Sequence, residues 1–129
     1  MTNKLEIYKC NICGNVIEIL ISGDGHPVCC GEEMERLEVK NDSFNSPDLT
    51  EKHSPLFTKD DKGKSYVTIE KHPMTKEHYI PFVQIISNNN NEVLTKFFYP
   101  DDKIIMNTKL DEEKLKSRSY CNIHGIYSN

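Results

Sequence analysis

The chain has 129 residues, 36% of them hydrophobic, which is enough for one ordinary core or one core plus a small metal-held lobe, but not for two full domains. Its formal net charge is −4 and its basic residues are scattered, which argues against a nucleic-acid backbone as partner. The longest apolar runs, 16–21 and 81–86, are too short for a membrane span, and residues 1–6 lack the apolar stretch of a signal peptide, so a cytoplasmic protein is expected.

Residues 5–9 read as a short strand leading into Cys10-Asn11-Ile12-Cys13-Gly14-Asn15, where Gly14 permits the positive φ that folds backbone over a metal. Residues 16–21 read as a β-branched strand, and Ser22-Gly23-Asp24-Gly25 as its turn. Four of the five cysteines, Cys10, Cys13, Cys29 and Cys30, fall in the first quarter of the chain. In a reducing cytosol such a cluster reads as a metal site rather than as two disulfides. A lobe this small buries too little apolar surface to fold unaided, so metal must supply much of its stability. Cys29 and Cys30 share one peptide, which constrains the angle between their sulfurs at a metal and predicts a distorted tetrahedron. Iron and zinc both accept four thiolates, and the residues alone leave that choice open. A polar linker is expected at 39–49; the acceptor pattern Asn41-Asp42-Ser43 within it reads as chance without a secretory route.

The rest reads as β. Strands are expected at 65–69, 79–86, 93–99, 103–107 and 117–121, divided by turn clusters at 60–64, 88–91 and 100–102, and this spacing favours an antiparallel sandwich. Residues 111–115 are the one helix-friendly stretch, about a single turn. His53 stands where the linker enters the sandwich, His72 and His78 bracket a loop, and Cys121 and His124 end the last expected strand. These are element edges and loops, where distant segments converge. Four neutral imidazoles and one thiolate form a nitrogen-rich donor set with one soft anion, which suits a redox-active iron better than a structural zinc. His26, in a turn before Pro27, reads as an ordinary surface residue.

Taken together, Tyr8-Lys9-Cys10-x-x-Cys13-Gly14-Asn15, Val28-Cys29-Cys30-Gly31-Glu32, Glu51-Lys52-His53, His72-Pro73-Met74-x-x-Glu77-His78 and Tyr120-Cys121-Asn122-x-His124-Gly125 resemble, in order and spacing, the desulfoferrodoxins, two-iron superoxide reductases. The resemblance runs from Leu5 to Gly125. It implies an all-β protein: a desulforedoxin-like lobe at 1–38, the linker at 39–49, and an immunoglobulin-like antiparallel sandwich at 50–129. It further implies two mononuclear irons, one on Cys10, Cys13, Cys29 and Cys30, the other on His53, His72, His78 and His124 as equatorial nitrogens with Cys121 as axial sulfur. In the family the histidine matching His124 binds through its other ring nitrogen. The implied activity is one-electron reduction of superoxide to hydrogen peroxide without dioxygen, with rubredoxin as electron donor and a homodimer as assembly. Lys52 would draw in the superoxide anion, and Glu51 would cap the open iron position after oxidation. The chain departs from the family in having no Trp, with Tyr79 where many members carry one, and Glu33 where proline is frequent.

The competing reading from the residues is a non-enzymatic electron carrier or zinc-stabilised module built on the four-cysteine lobe. A zinc hydrolase would use three ligands and an open water position rather than five. A thiol oxidoreductase is weaker, because Cys10-x-x-Cys13 does not open a helix in a βαβ setting.

Overall fold

Short β-branched and aromatic runs broken by Gly, Asn and Asp turns leave little that could form a helix. The computed structural model, which describes residues 1–41, 52–108 and 114–129, is all-β. The chain divides into two compact units, Met1–Glu38 and Val39–Asn129.

In the first unit, β1 (Ile7–Lys9) lies between β2 (Val16–Glu18) and β5 (Glu35–Arg36) in an antiparallel sheet, and β3 (Val28–Cys29) pairs with β4 (Glu32–Glu33). Glu33 sits opposite Val28 in that short ladder. The core is minimal: Tyr8, Cys10 and Met34 are buried together, with Ile19 and Cys29 packed against them. So few buried side chains cannot offset the ordering of the whole lobe, and a cross-link through the cysteines has to supply the remainder.

The second unit is a two-layer sandwich of the immunoglobulin type. Its larger sheet runs in the order β10 (Val93–Phe97), β9 (Phe82–Ile86), β12 (Lys116–Cys121), β13 (Gly125–Ser128) and β6 (Val39–Lys40). Its smaller sheet runs β11 (Ile104–Asn107), β8 (Ser65–Ile69), β7 (Leu56–Lys59). All pairings are antiparallel except the edge strand β6, which runs parallel to β13. Side chains from both sheets meet between them: Val67, Ile69, Ile104 and Met106 on one side, Val83, Ile85 and Cys121 on the other, with Ile80 and Phe98. The period of two is plain in β11, where Ile104 and Met106 are buried while Ile105 and Asn107 are exposed. Cys121 closes β12 at the margin of this core, fully buried.

Several local expectations shift. The segment expected to be linker from residue 39 begins instead with strand β6, a two-residue run too short to be read as a strand. β7 was not foreseen because its side chains are mostly exposed at a sheet edge and show no alternation. β13 was missed because it starts on Gly125, which reads as a breaker. Cys121 and His124 therefore do not end the last strand; Cys121 closes β12, and His124 lies in the turn of a β12–β13 hairpin. The strand expected from 79 begins at Phe82, since Pro81 has no N–H to give a ladder. Of the expected helical turn at 111–115, residues 111–113 lie outside the described residues and 114–115 are not helical; most of the expected linker, 42–49, also lies outside the described residues. Among the described residues no helix is long and apolar enough to cross a membrane.

Candidate metal centres

The first unit gathers its four cysteines from two loops. In the loop after β1, the Gly14 N–H donates to the Cys10 carbonyl (2.9 Å), the Cys10 N–H to the Asn15 carbonyl (2.8 Å), and the Cys13 N–H to Cys10 Sγ (3.5 Å). Gly14 has φ 85°, a conformation that side chains other than hydrogen resist. In the loop after β3, Cys30 has φ 54°, a left-handed backbone at a non-glycine residue. In an extended strand, neighbours point to opposite faces. The left-handed turn at Cys30 removes that opposition, so Cys29 Sγ and Cys30 Sγ stand 3.9 Å apart, with Cys13 Sγ 3.6 Å from Cys29 Sγ. All four sulfurs lie within 4.8 Å of one another. These spacings match the edges of a tetrahedron with metal–sulfur bonds of about 2.3 Å, roughly 3.8 Å. Hydrogen bonds from the Cys13 and Ile12 N–H groups hold the Cys10 thiol down at about 6. Hydrogen bonds with Cys13, Cys29 and Cys10 push Cys30 up to about 12. Four thiols that share protons in this way are set to exchange them for a metal ion.

The second set lies at one end of the sandwich. One ligand atom each from His53, His78, Cys121 and His124 falls within 4.8 Å of all the others. The His72 ring adjoins them, its centroid 4.6 Å from those of both His53 and His78. The β12–β13 turn brings His124 Nδ1 to 3.7 Å from Cys121 Sγ and 3.1 Å from His53 Nε2. His124 thus presents Nδ1 where His53 presents Nε2. His72 makes a short Nδ1 contact to the Pro73 carbonyl (2.6 Å), which fixes the proton on Nδ1 and leaves a lone pair on Nε2. Burial holds the His72 imidazole down at about 4, so it stays neutral near pH 7. Burial also lowers His124 and raises the Cys121 thiol, the latter opposed by N–H groups of His124 and Ile123 and by the Lys40 charge. The His124 N–H stands 3.4 Å from Cys121 Sγ.

The chemistry of this set tests whether a metal fits. His72 Nε2 and His78 Nε2 are buried and have no hydrogen-bond partner. A polar nitrogen kept from water without a partner costs on the order of 1–3 kcal/mol, which a metal ion among these atoms would remove. Four imidazoles and one buried thiol, nitrogen-rich with a single soft donor, suit iron.

Residues 2–37 match the family described as "Desulfoferrodoxin, N-terminal domain", and residues 45–129 match "Desulfoferrodoxin". This chain belongs to the desulfoferrodoxin family. It is 38% identical to the desulfoferrodoxin of Syntrophotalea carbinolica over 99% of this chain and 98% of that one. Its first lobe is 50% identical to the desulforedoxin of Megalodesulfovibrio gigas over 34 residues, 26% of this chain and 92% of that one. In fold it is similar to the superoxide reductase of Treponema pallidum, with a TM-score of 0.71 at 20% identity, covering 98% of both chains. The two donor sets match the two-iron pattern of the desulfoferrodoxin family.

Against that desulfoferrodoxin pattern, Lys52 is half-buried in the chain directly before His53, while Glu51 lies outside the described residues. His26 stays apart from both donor sets; it is exposed, 3.1 Å from the Met34 carbonyl and edge-on to Tyr8. Sequence reasoning assigned no role to Asn122, which joins two ligand-bearing loops. Its Nδ2 donates to the Glu77 carbonyl (3.0 Å), its Oδ1 accepts from the Tyr79 N–H (3.0 Å), and its own N–H donates to the Tyr79 carbonyl (3.2 Å). His78 lies inside that clamp. The available signal was its place inside Cys121-x-x-His124. Asn122→Ala should weaken iron binding at the second centre by about 10–100-fold, the usual loss when a group supporting metal ligands is removed. Competition with a chelator, read at each centre separately, measures this; equal affinities in both proteins would dismiss the clamp.

His53 is fixed from below. The Ser119 hydroxyl donates to its carbonyl (2.6 Å), and the Tyr127 ring stacks on the imidazole at 4.3 Å and 18°. Ser54 Oγ donates to the Ser128 carbonyl (2.9 Å), holding the same segment against β13.

Proposed function

We propose that this protein is a superoxide reductase: superoxide, one electron and two protons become hydrogen peroxide, with no dioxygen released. The observation that carries this reading is the convergence of four imidazoles and one buried thiol, two of the imidazoles offering unpartnered Nε2 atoms. Ferrous iron held there would supply the electron. His53, His72 and His78 would hold it through Nε2 and His124 through Nδ1, with Cys121 as the anionic donor. The His124 N–H beside Cys121 Sγ spreads the thiolate charge and so moderates its donation. Tyr79, next to His78 and half-buried, shields the site edge where many relatives have Trp.

Lys52 guides the anion. The protein carries a net charge of −4, so a positive side chain beside the site has to oppose the overall field. Lys52→Ile should slow superoxide capture several-fold at low ionic strength, and the deficit should shrink as salt shortens the Debye length to about 10 Å at 0.1 M. An unchanged bimolecular rate by pulse radiolysis would remove Lys52 from the mechanism. Glu51 keeps the role of capping carboxylate after oxidation.

Cys10, Cys13, Cys29 and Cys30 hold the first iron in the unit at 1–38, and the second unit, from Val39 on, carries the reductase site. The exposed apolar side chains of the first unit, Leu20, Ile21 and Val28 among them, support a homodimer. A cytoplasmic location and an electron donor of rubredoxin type complete the reading.

The test is stoichiometric. Iron-loaded protein, reduced without air and given a measured amount of superoxide, should yield equal molar peroxide and no dioxygen. Half-molar peroxide with matching dioxygen would mean dismutation and favour the electron-carrier reading.

A further inference from the structure

We propose that Lys40 is a fixed cation that tunes the second iron centre through the Cys121–His124 turn. The proposal rests on the metal assignment above but concerns a residue outside the donor set. Lys40 sits on edge strand β6, opposite Tyr127 in the parallel pairing with β13. Its Nζ donates to the His124 carbonyl at 2.8 Å and lies 5.3 Å from the centroid of the Tyr127 ring. That ring stacks on His53 at 4.3 Å. One ammonium therefore holds the backbone of one ligand and, through a single aromatic ring, backs a second.

The hairpin corner beside it is made by Gly125, whose φ of 90° favours glycine. Gly125 pairs with Cys121 across the hairpin, and a Cβ built on it would stand 3.9 Å from Lys40 Nζ. Among the described residues no carboxylate forms an ion pair with Lys40. Its charge is felt at the ligands: it is among the influences that draw the Cys121 thiol down against burial, and it also lowers His124. Attraction between a half-buried ammonium and a thiolate is stronger than in water. A cation held near a thiolate ligand withdraws electron density from sulfur and favours the iron state of lower charge. Ferrous iron is then stabilised over ferric, and the reduction potential rises.

The experiment uses the full iron-loaded chain and three substitutions: Lys40→Met, Lys40→Gln, which is neutral but retains a donor, and Lys40→Arg. Two quantities are read: the midpoint potential of the second iron, and the thiolate-to-ferric-iron absorption band. The four-cysteine centre serves as an internal reference. In Lys40→Met and Lys40→Gln the potential should fall and the band move to longer wavelength, while Lys40→Arg should restore both and the reference centre should not change. Unchanged potential and band in both neutral variants, or a shift that Lys40→Arg shares, would overturn the proposal. If the unaltered protein bound iron without any such thiolate band at the second site, the metal assignment itself would fall, and this proposal with it.

Discussion

Replacing Cys121 by Ser should reduce the rate of superoxide reduction by more than about 100-fold while leaving the four-cysteine centre intact. Removing groups that merely support a metal ligand already costs about 10–100-fold, so removing the one anionic ligand sets that range as a floor. Serine is close in size, so the loss reports chemistry rather than packing. The Cys121 side chain is fully buried at the end of β12, where its sulfur meets His124 Nδ1 at 3.7 Å and the His124 N–H at 3.4 Å. A neutral hydroxyl there would leave four imidazoles to hold iron but remove the negative charge that donates toward the substrate position. The measurement is peroxide formed per superoxide added, together with iron content at each centre. A variant that kept both iron and rate would show that the thiolate is not part of the reaction.

Replacing Cys13 by Ser acts on the other unit and in a different way. Among the described residues the first unit's core cluster is small, Tyr8, Cys10 and Met34, so its order depends on the metal link among Cys10, Cys13, Cys29 and Cys30. Binding free energies for structural metal in small lobes are on the order of 10 kcal/mol, comparable with the stability of a whole domain. Loss of one thiolate should therefore unfold 1–38 selectively. Amide exchange should become fast throughout β1 to β5, while the sandwich core around Val67, Val83 and Ile85 keeps its protection. Superoxide reduction at the second centre should persist. If reduction vanished along with the first centre, the assigned division of labour between the irons would be wrong.

The first donor set was nearly complete in the amino-acid order, because its ligands come from two short local motifs. What the order did not reveal was the left-handed backbone at Cys30 that turns adjacent sulfurs toward one point. The second set was harder to read. His53, His72, His78 and His124 are separated by up to 71 positions, and each alone is an unremarkable polar residue; donor chemistry grouped them with Cys121, and the family pattern gave each its place. The hairpin turn that holds Cys121 and His124 escaped notice because Gly125 reads as an end rather than as a corner between two strands. Asn122 and Lys40 were invisible for a related reason, since their roles lie in hydrogen bonds to backbone carbonyls that sequence position does not specify.

By itself, then, the sequence determined which donor atoms this protein has, the local spacing of its cysteines, the alternation that makes its sandwich strands, and its family. Those properties are local or compositional, so they survive in the order of residues. Only the tertiary structure decided which ring nitrogen each histidine presents, which of those nitrogens lack partners, and which neighbours clamp the ligand loops. Those properties arise where β6, β9, β12 and β13 come together with the loops beside them, and the close approach of distant segments is set by the packing of the whole sandwich rather than by any one of its strands.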